Sequence, residues 1–219
     1  MRSFVVLIAL ASLAHPALAQ TAEDTPASLS LRWMLRGYQD GEGRNHSMPG
    51  PGLQLSVPIA RRLRFEGSFD SALGGPNSLS NLDLGLAYRL GELDPSSQDP
   101  LNNLHVAMTW AVFNSSIDRD GSPLRLRDEG LGVGLTRLAS PDQEFSYYYR
   151  LMLHPSLGSH SRNLLGGQAL LAEAGLTWRL QETVQLDLGY RYRSHKHNGS
   201  EDTRLSKEHG PYLGFRLNF

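Results

Sequence analysis

From Leu29 to Phe219 apolar side chains recur at every second position, and this period of two limits the fold more than any other feature of the chain. Leu29, Leu31, Trp33 and Leu35 share one face of a segment whose other face is Ser30, Arg32, Met34 and Arg36. Leu63, Phe65, Gly67 and Phe69 alternate in the same way with Arg64, Glu66, Ser68 and Asp70. The pattern returns in 53–59, 82–89, 104–112, 131–136, 145–153, 170–179, 184–193 and 212–219, while helical spacing is hard to find. These segments run to roughly 8 to 11 residues, the length a tilted strand needs to cross a bilayer, and they predict about ten antiparallel strands. Two places are awkward and leave eight open. Leu124 and Leu126 fall on the opposite parity to Leu131, Val133 and Leu135, which predicts a bulge or a loop end at 128–130. Pro58 donates nothing to a ladder and favours a strand end or bulge.

Alternation alone does not separate a soluble sandwich from a membrane barrel. Three features favour the barrel. The face opposite the apolar one carries Arg32, Arg36, Arg64, Glu66, Asp70, Asp83, Arg89, Arg150, Glu173, Arg179, Asp187, Arg191, Arg193 and Arg216. In a barrel these point into a polar lumen, where opposite charges pair, and the arginine excess of about two to one predicts a partly positive interior. Trp33, Phe69, Tyr88, Trp110, Phe145, Tyr147, Trp178, Tyr190, Tyr192 and Phe219 lie on the apolar parity toward segment ends, as girdle residues do. Finally, Leu213, Phe215, Leu217 and Phe219 alternate back from a terminal Phe, which resembles the carboxyl-terminal assembly signal of bacterial outer-membrane barrels. The expected fold is an all-β, closed antiparallel transmembrane barrel.

The start of the chain reads as an export signal: Met1-Arg2, an apolar run from Phe4 to Leu13, and Ala17-Leu18-Ala19 ahead of a cleavage between Ala19 and Gln20. The run is about ten residues, too short to cross a core that needs roughly 20. The expected organisation is a signal peptide at 1–19, a short periplasmic lead at 20–27 and a barrel domain at 28–219, located in the bacterial outer membrane. The 219 residues include no Cys, so a core or a closed ladder must hold the fold. The formal net charge of −1 and the scattered basic residues argue against a nucleic-acid partner. From a periplasmic N-terminus, long outer loops are expected at 39–51, 71–80, 114–123, 155–166 and 194–209, where Gly, Asn, Asp, Ser and Pro concentrate. Tight turns are expected at 60–62, 139–143 and 181–183; the polar connection at 91–103 fits a turn poorly.

The stretches FSYYYRL (145–151), AEAGLTWRL (172–180), VQLDLGYRY (184–192) and HGPYLGF (209–215) resemble the YfaZ-type family of small outer-membrane proteins in their order and spacing. The resemblance covers about the last third of the chain. It implies an outer-membrane barrel and supplies no catalytic residues.

Two motifs invite chemistry. Lipid A deacylases use a His and a Ser two residues apart near the membrane edge, and His154-Pro155-Ser156 has that spacing, but on a parity that puts His154 inside. In the run 194–200, Ser194 and His195 would point to opposite faces. His195, His197 and His209 with Glu201, Asp202 and Glu208 could hold a divalent metal, yet exposed loops often carry such residues without binding anything. The reading therefore assigns no catalytic, cofactor or metal residues. It expects a structural or surface-loop scaffold, with a narrow channel for small solutes, anions among them, as the alternative and a lipid hydrolase as the second. The expected partners are outer-membrane lipid and, during biogenesis, the barrel assembly machinery.

Overall fold

The computed structural model describes residues 26–40, 42–91, 101, 103–119, 122–159, 164–199 and 203–219. The expected cleavage site and most of the 91–103 connection lie outside them. The strands are β1 (Ser28–Met34), β2 (Gly37–Gln39), β3 (Asn45–Ser47), β4 (Gly50–Ala60), β5 (Leu63–Gly74), β6 (Asn77–Arg89), β7 (Leu104–Arg119), β8 (Ser122–Arg137), β9 (Phe145–Ser159), β10 (Leu164–Gln181), β11 (Val184–Gly199) and β12 (Thr203–Asn218). No described residue is helical.

Ten staves make the wall. β1 and β2 both pair with β12, at Met34↔Tyr212 and then at Gly37↔His209, so they are two parts of one stave interrupted at Leu35 and Arg36. β3 and β4 pair with β2 and β1 respectively and form the second stave. β5 to β12 follow as consecutive antiparallel neighbours, and the pairing of β1 with β12 closes the ring. Closure leaves no run of unpaired backbone around the wall, which an open sheet of this width would expose on two edges. Ala27 and Phe219 exchange backbone hydrogen bonds of 3.1 and 2.9 Å, so both described ends meet at one rim, the terminal end; the opposite rim is the hairpin end.

The pleat then sorts the alternating sequence into two surfaces. Leu31, Trp33, Met108, Leu131, Val133, Leu176, Leu188, Leu213 and Phe215 are exposed on the outside, whereas Arg32, Asp83, Thr109, Thr177 and Asp187 are buried inside. This is the inverse of a soluble protein. Aromatics border the apolar band: Tyr88, Phe145, Trp178 and Phe219 toward the terminal end, Trp33, Trp110 and Tyr190 toward the hairpin end. Phe145 and Trp178 stack at 5.8 Å between ring centroids.

The structure revises the connections. The stretches expected as long outer loops are mostly strand: β7 and β8 run to within Arg119 and Ser122, β11 and β12 to Gly199 and Thr203, and β5 and β6 to Gly74 and Asn77. β10 has 18 residues, about 60 Å of chain at roughly 3.3 Å each, against an apolar band of about 25 Å. Beyond the apolar band the periodicity disappears while the ladder continues. The expected irregularity at 128–130 is not in β8, whose pairing with β7 runs unshifted from Leu104↔Arg137 to Arg119↔Ser122. It belongs to β9. His154 and Leu157 are both buried, Pro155 and Ser156 between them are exposed, and the registers with β8 and β10 both slip there. One extra residue, with a proline that needs no donor, makes the bulge. Pro58 sits beside a second slip, where Ala60 pairs with Leu63.

Candidate functional site

The inward side chains of these staves meet in the middle of the barrel. Arg32 on β1 donates from Nη1 to Glu173 Oε1 on β10 at 2.6 Å. Arg191 on β11 donates to the other oxygen, Glu173 Oε2, from Nε at 2.8 Å, and from Nη1 to Asp70 Oδ1 on β5 at 2.6 Å. β1 and β10, and likewise β5 and β11, are not wall neighbours, so this chain of ion pairs crosses the lumen instead of lining it. Asp187 on β11 accepts from Ser30 Oγ at 3.0 Å, Thr177 Oγ1 at 3.1 Å and Arg216 Nη2 at 3.0 Å, and lies 3.5 Å from Arg32 Nη2.

Two tyrosines hold the arginines from the side. The Arg32 guanidinium lies 4.7 Å from the Tyr212 ring centroid and 5.5 Å from that of Tyr148, and Arg216 lies 5.2 Å from Tyr148. The two hydroxyls are 2.5 Å apart, and Tyr212 also donates to Glu173 Oε1 at 2.8 Å. Gly175 and Gly189 make this possible, because a Cβ on either would stand 2.5 Å from the hydroxyl of Tyr148 or Tyr212.

Toward the hairpin end a second layer forms around Arg193. It reaches Asp83 at 3.4 Å, Glu208 at 3.6 Å and Asp70 at 3.9 Å, and its guanidinium lies 4.9 Å from the Phe113 ring. Arg36 Nη1 meets Glu208 Oε1 at 3.1 Å, and His195 Nε2 meets Asp128 Oδ2 at 3.1 Å. Above it Tyr38, Met48, Ala72, Leu79 and Ile117 form an apolar cluster. Between β2 and β3, Asp40 accepts backbone hydrogen bonds of 2.9 Å from Glu42 and Arg44. Burial by itself would raise its pKa; those donors and His46 outweigh it and hold the carboxyl below its ordinary value.

Of the fourteen charges expected inside, thirteen are buried and Arg179, near the terminal end of β10, is only half-buried. The expected two-to-one arginine excess does not survive. Eight arginines of that group (Arg32, Arg36, Arg64, Arg89, Arg150, Arg191, Arg193, Arg216) are buried with seven strand acids, since Asp128 and Glu208 join Glu66, Asp70, Asp83, Glu173 and Asp187; Arg137 and Asp40, one of each sign, are buried as well. Both added acids fall in stretches where the alternation of hydropathy had faded. Continuing the inward parity of β8 and β12 past the apolar band would have found them.

The expected chemical motifs disperse. His154 is buried and 3.3 Å from Thr109 Oγ1, while Ser156 is exposed across the bulge. His195 turns inward to Asp128, but His209 contacts Tyr190 on the outer surface at 2.8 Å. His197, Glu201 and Asp202 have no described side chains, and among the described residues no three His, Asp or Glu converge as a metal set.

The fold and its interior together define the class: a closed ten-stave antiparallel barrel with an ion-paired lumen. Among solved structures the chain is similar to the crystal structure of Neisserial surface protein A, at 14% identity over 88% of this chain and 97% of that one, with a TM-score of 0.49. The transport unit of the autotransporter AIDA-I from Escherichia coli gives 13%, 95%, 96% and 0.44 by the same measures. Ail, the attachment invasion locus protein of Yersinia pestis, gives 13%, 89%, 99% and 0.32. No family model and no curated relative matches the chain, so the YfaZ-type resemblance has no such match behind it. The barrel reading rests on the chain's own register and closure.

Proposed function

We propose that this chain is a bacterial outer-membrane barrel of the closed, scaffold kind, in which the wall anchors the molecule in lipid and the hairpin end presents a surface. The exposed apolar band with aromatic borders supports the location, because a soluble monomer rarely exposes a contiguous apolar patch beyond a few hundred Å². In that orientation the terminal end faces the periplasm, a reading supported by the expected export signal and by the resemblance of 145–219 to small outer-membrane proteins. The observation that carries the scaffold reading is the ion-pair chain Arg32–Glu173–Arg191–Asp70, which ties non-adjacent staves together across the lumen. A solute would have to break several buried charge contacts to pass, and the apolar cluster at Met48 and Ile117 adds a second obstruction. Nothing in the separated positions of His154 and Ser156 favours hydrolysis.

Purified protein reconstituted in a planar bilayer tests this directly. The wild type should give no discrete conductance steps, and the double variant Arg32→Ala/Arg191→Ala, which removes the crossing cations, should leak or conduct. Steady unitary steps from the wild type would replace the scaffold by a channel.

A further inference from the structure

Just past the aromatic border at the hairpin end, the outer face of β11 and β12 turns basic. Beyond Tyr190 and Pro211 the outward positions are Tyr192, Ser194 and Lys196 on β11 and His209, Lys207 and Leu205 on β12. Lys207 pairs with Ser194 and Lys196 with Leu205, so the two lysines are diagonal neighbours on one face, at the roughly 7–8 Å usual for such positions. The flanking strands add amides and no acid: Gln168 on β10 stands beside Lys196, and Gln39 on β2 beside Lys207. Glu208, between Lys207 and His209 in sequence, is buried on the lumen side, and Glu42 in the β2–β3 turn is engaged by Arg44 at 3.0 Å. Among the described residues neither lysine has an ion-pair or hydrogen-bond partner. The basic residue Arg127 on β8, also outward, differs in having Glu129 at 3.6 Å.

His209 is held in place beside them. Its Nδ1 lies 2.8 Å from the Tyr190 hydroxyl, and the two rings stack with centroids 6.3 Å apart. Gly37 opposite leaves room for the ring, since a Cβ there would already touch its Cε1 and Nε2 at 3.4 Å. A hydroxyl donating to Nδ1 puts the ring proton on Nε2, a second donor. Like charges on neighbouring strands repel unless an anion lies between them, and ammonium groups beside a positioned imidazole N–H complement a phosphate. The level is that of a headgroup: Lys207 stands opposite Ser194, four residues past Tyr190, or about 13 Å along the strand at roughly 3.3 Å per residue. Directly below lie the exposed Leu188 and Leu213 of the apolar band, so an occupant with acyl chains would continue onto lipid-facing wall. We propose that this face docks the phosphorylated sugar headgroup of an outer-leaflet lipid, with a phosphomonoester seated between Lys196 and Lys207 and His209 donating to it from the membrane side.

The site rests on the outer-membrane reading, whose own failure would show as solubility without detergent; binding in micelles reads the patch alone. The full chain, folded in detergent micelles, is mixed with bisphosphorylated lipid A or with phosphatase-treated lipid A, and bound lipid is counted by native mass spectrometry. The wild type should retain the phosphorylated lipid in preference to the phosphate-free one. In Lys196→Gln/Lys207→Gln that preference should fall roughly fivefold or more, whereas Lys196→Arg/Lys207→Arg should keep most of it. Arg127→Gln, which removes an outward charge elsewhere on the wall, should bind as the wild type does. Heat-modifiable gel migration verifies that each variant is folded. Equal retention of the two lipids by the wild type overturns the proposal, as does undiminished preference in the double glutamine variant or an equal loss in Arg127→Gln.

Discussion

Glu173 is the residue on which most of the interior depends. It meets Arg32, Arg191 and Tyr212 at once, within 2.6 to 2.8 Å. Removing one partner from a buried ion pair strands the others, which typically costs about 3–5 kcal/mol, far more than an exposed pair contributes. Glu173→Ala should therefore lower the stability of the folded barrel by about that amount. The measurement is the urea midpoint of folding into micelles, followed by gel migration. The change that also replaces Arg32 and Arg191 by Met, and Asp70, which would lose Arg191, by Asn, removes the stranded charges and should recover much of the loss. A midpoint unmoved by Glu173→Ala would show that the network does not support the fold. The pairing of Glu173 with Arg32 was not visible in the sequence. Parity places both inside, but 141 residues separate them, and only the curvature of the closed wall brings them to 2.6 Å.

Among the elements, β8 and β9 show how the wall is fitted to its contents. Gly132 on β8 faces inward opposite His154, and the three atoms nearest to a Cβ placed there all belong to that imidazole ring. The β9 bulge follows immediately after His154, so the ring, the glycine and the slip in register occupy one place in the wall. Gly132→Ala should destabilise by about 1–3 kcal/mol, the usual range for overpacking. Combined with His154→Ala it should cost less than the sum of the two single changes, because the obstructing ring is gone. A strictly additive double-mutant cycle would mean that the ring simply swings aside. The sequence carried the hint in a form easily misassigned. A change of apolar parity between Leu126 and Leu131 looked like a bulge in β8, whereas β8 keeps its step and Leu126 lines the interior. Apolar residues entering the lumen near the hairpin end, not an extra residue, caused the change.

At the scale of the molecule the protein is a surface turned inside out, with lipid-like side chains outside and a paired electrolyte within. Such a body needs an apolar solvent around it. The chain should stay in the membrane pellet until detergent is added, and folded protein should migrate differently from the boiled sample on a denaturing gel. Recovery as a dispersed monomer in a detergent-free periplasmic extract would contradict the membrane reading.

The period of two, read along one chain, determined the strands, the approximate stave count and which side chains share a face, because successive residues of a strand must point to opposite sides. It also marked thirteen of the buried charges. Tertiary structure alone decided where the strands end, since the ladder persists beyond the apolar band without a greasy face. It likewise decided the near balance of interior charge, through Asp128 and Glu208, and which arginine meets which acid. Those outcomes depend on register and on the curvature of a closed wall, which act between segments far apart in sequence and leave no local periodicity to read.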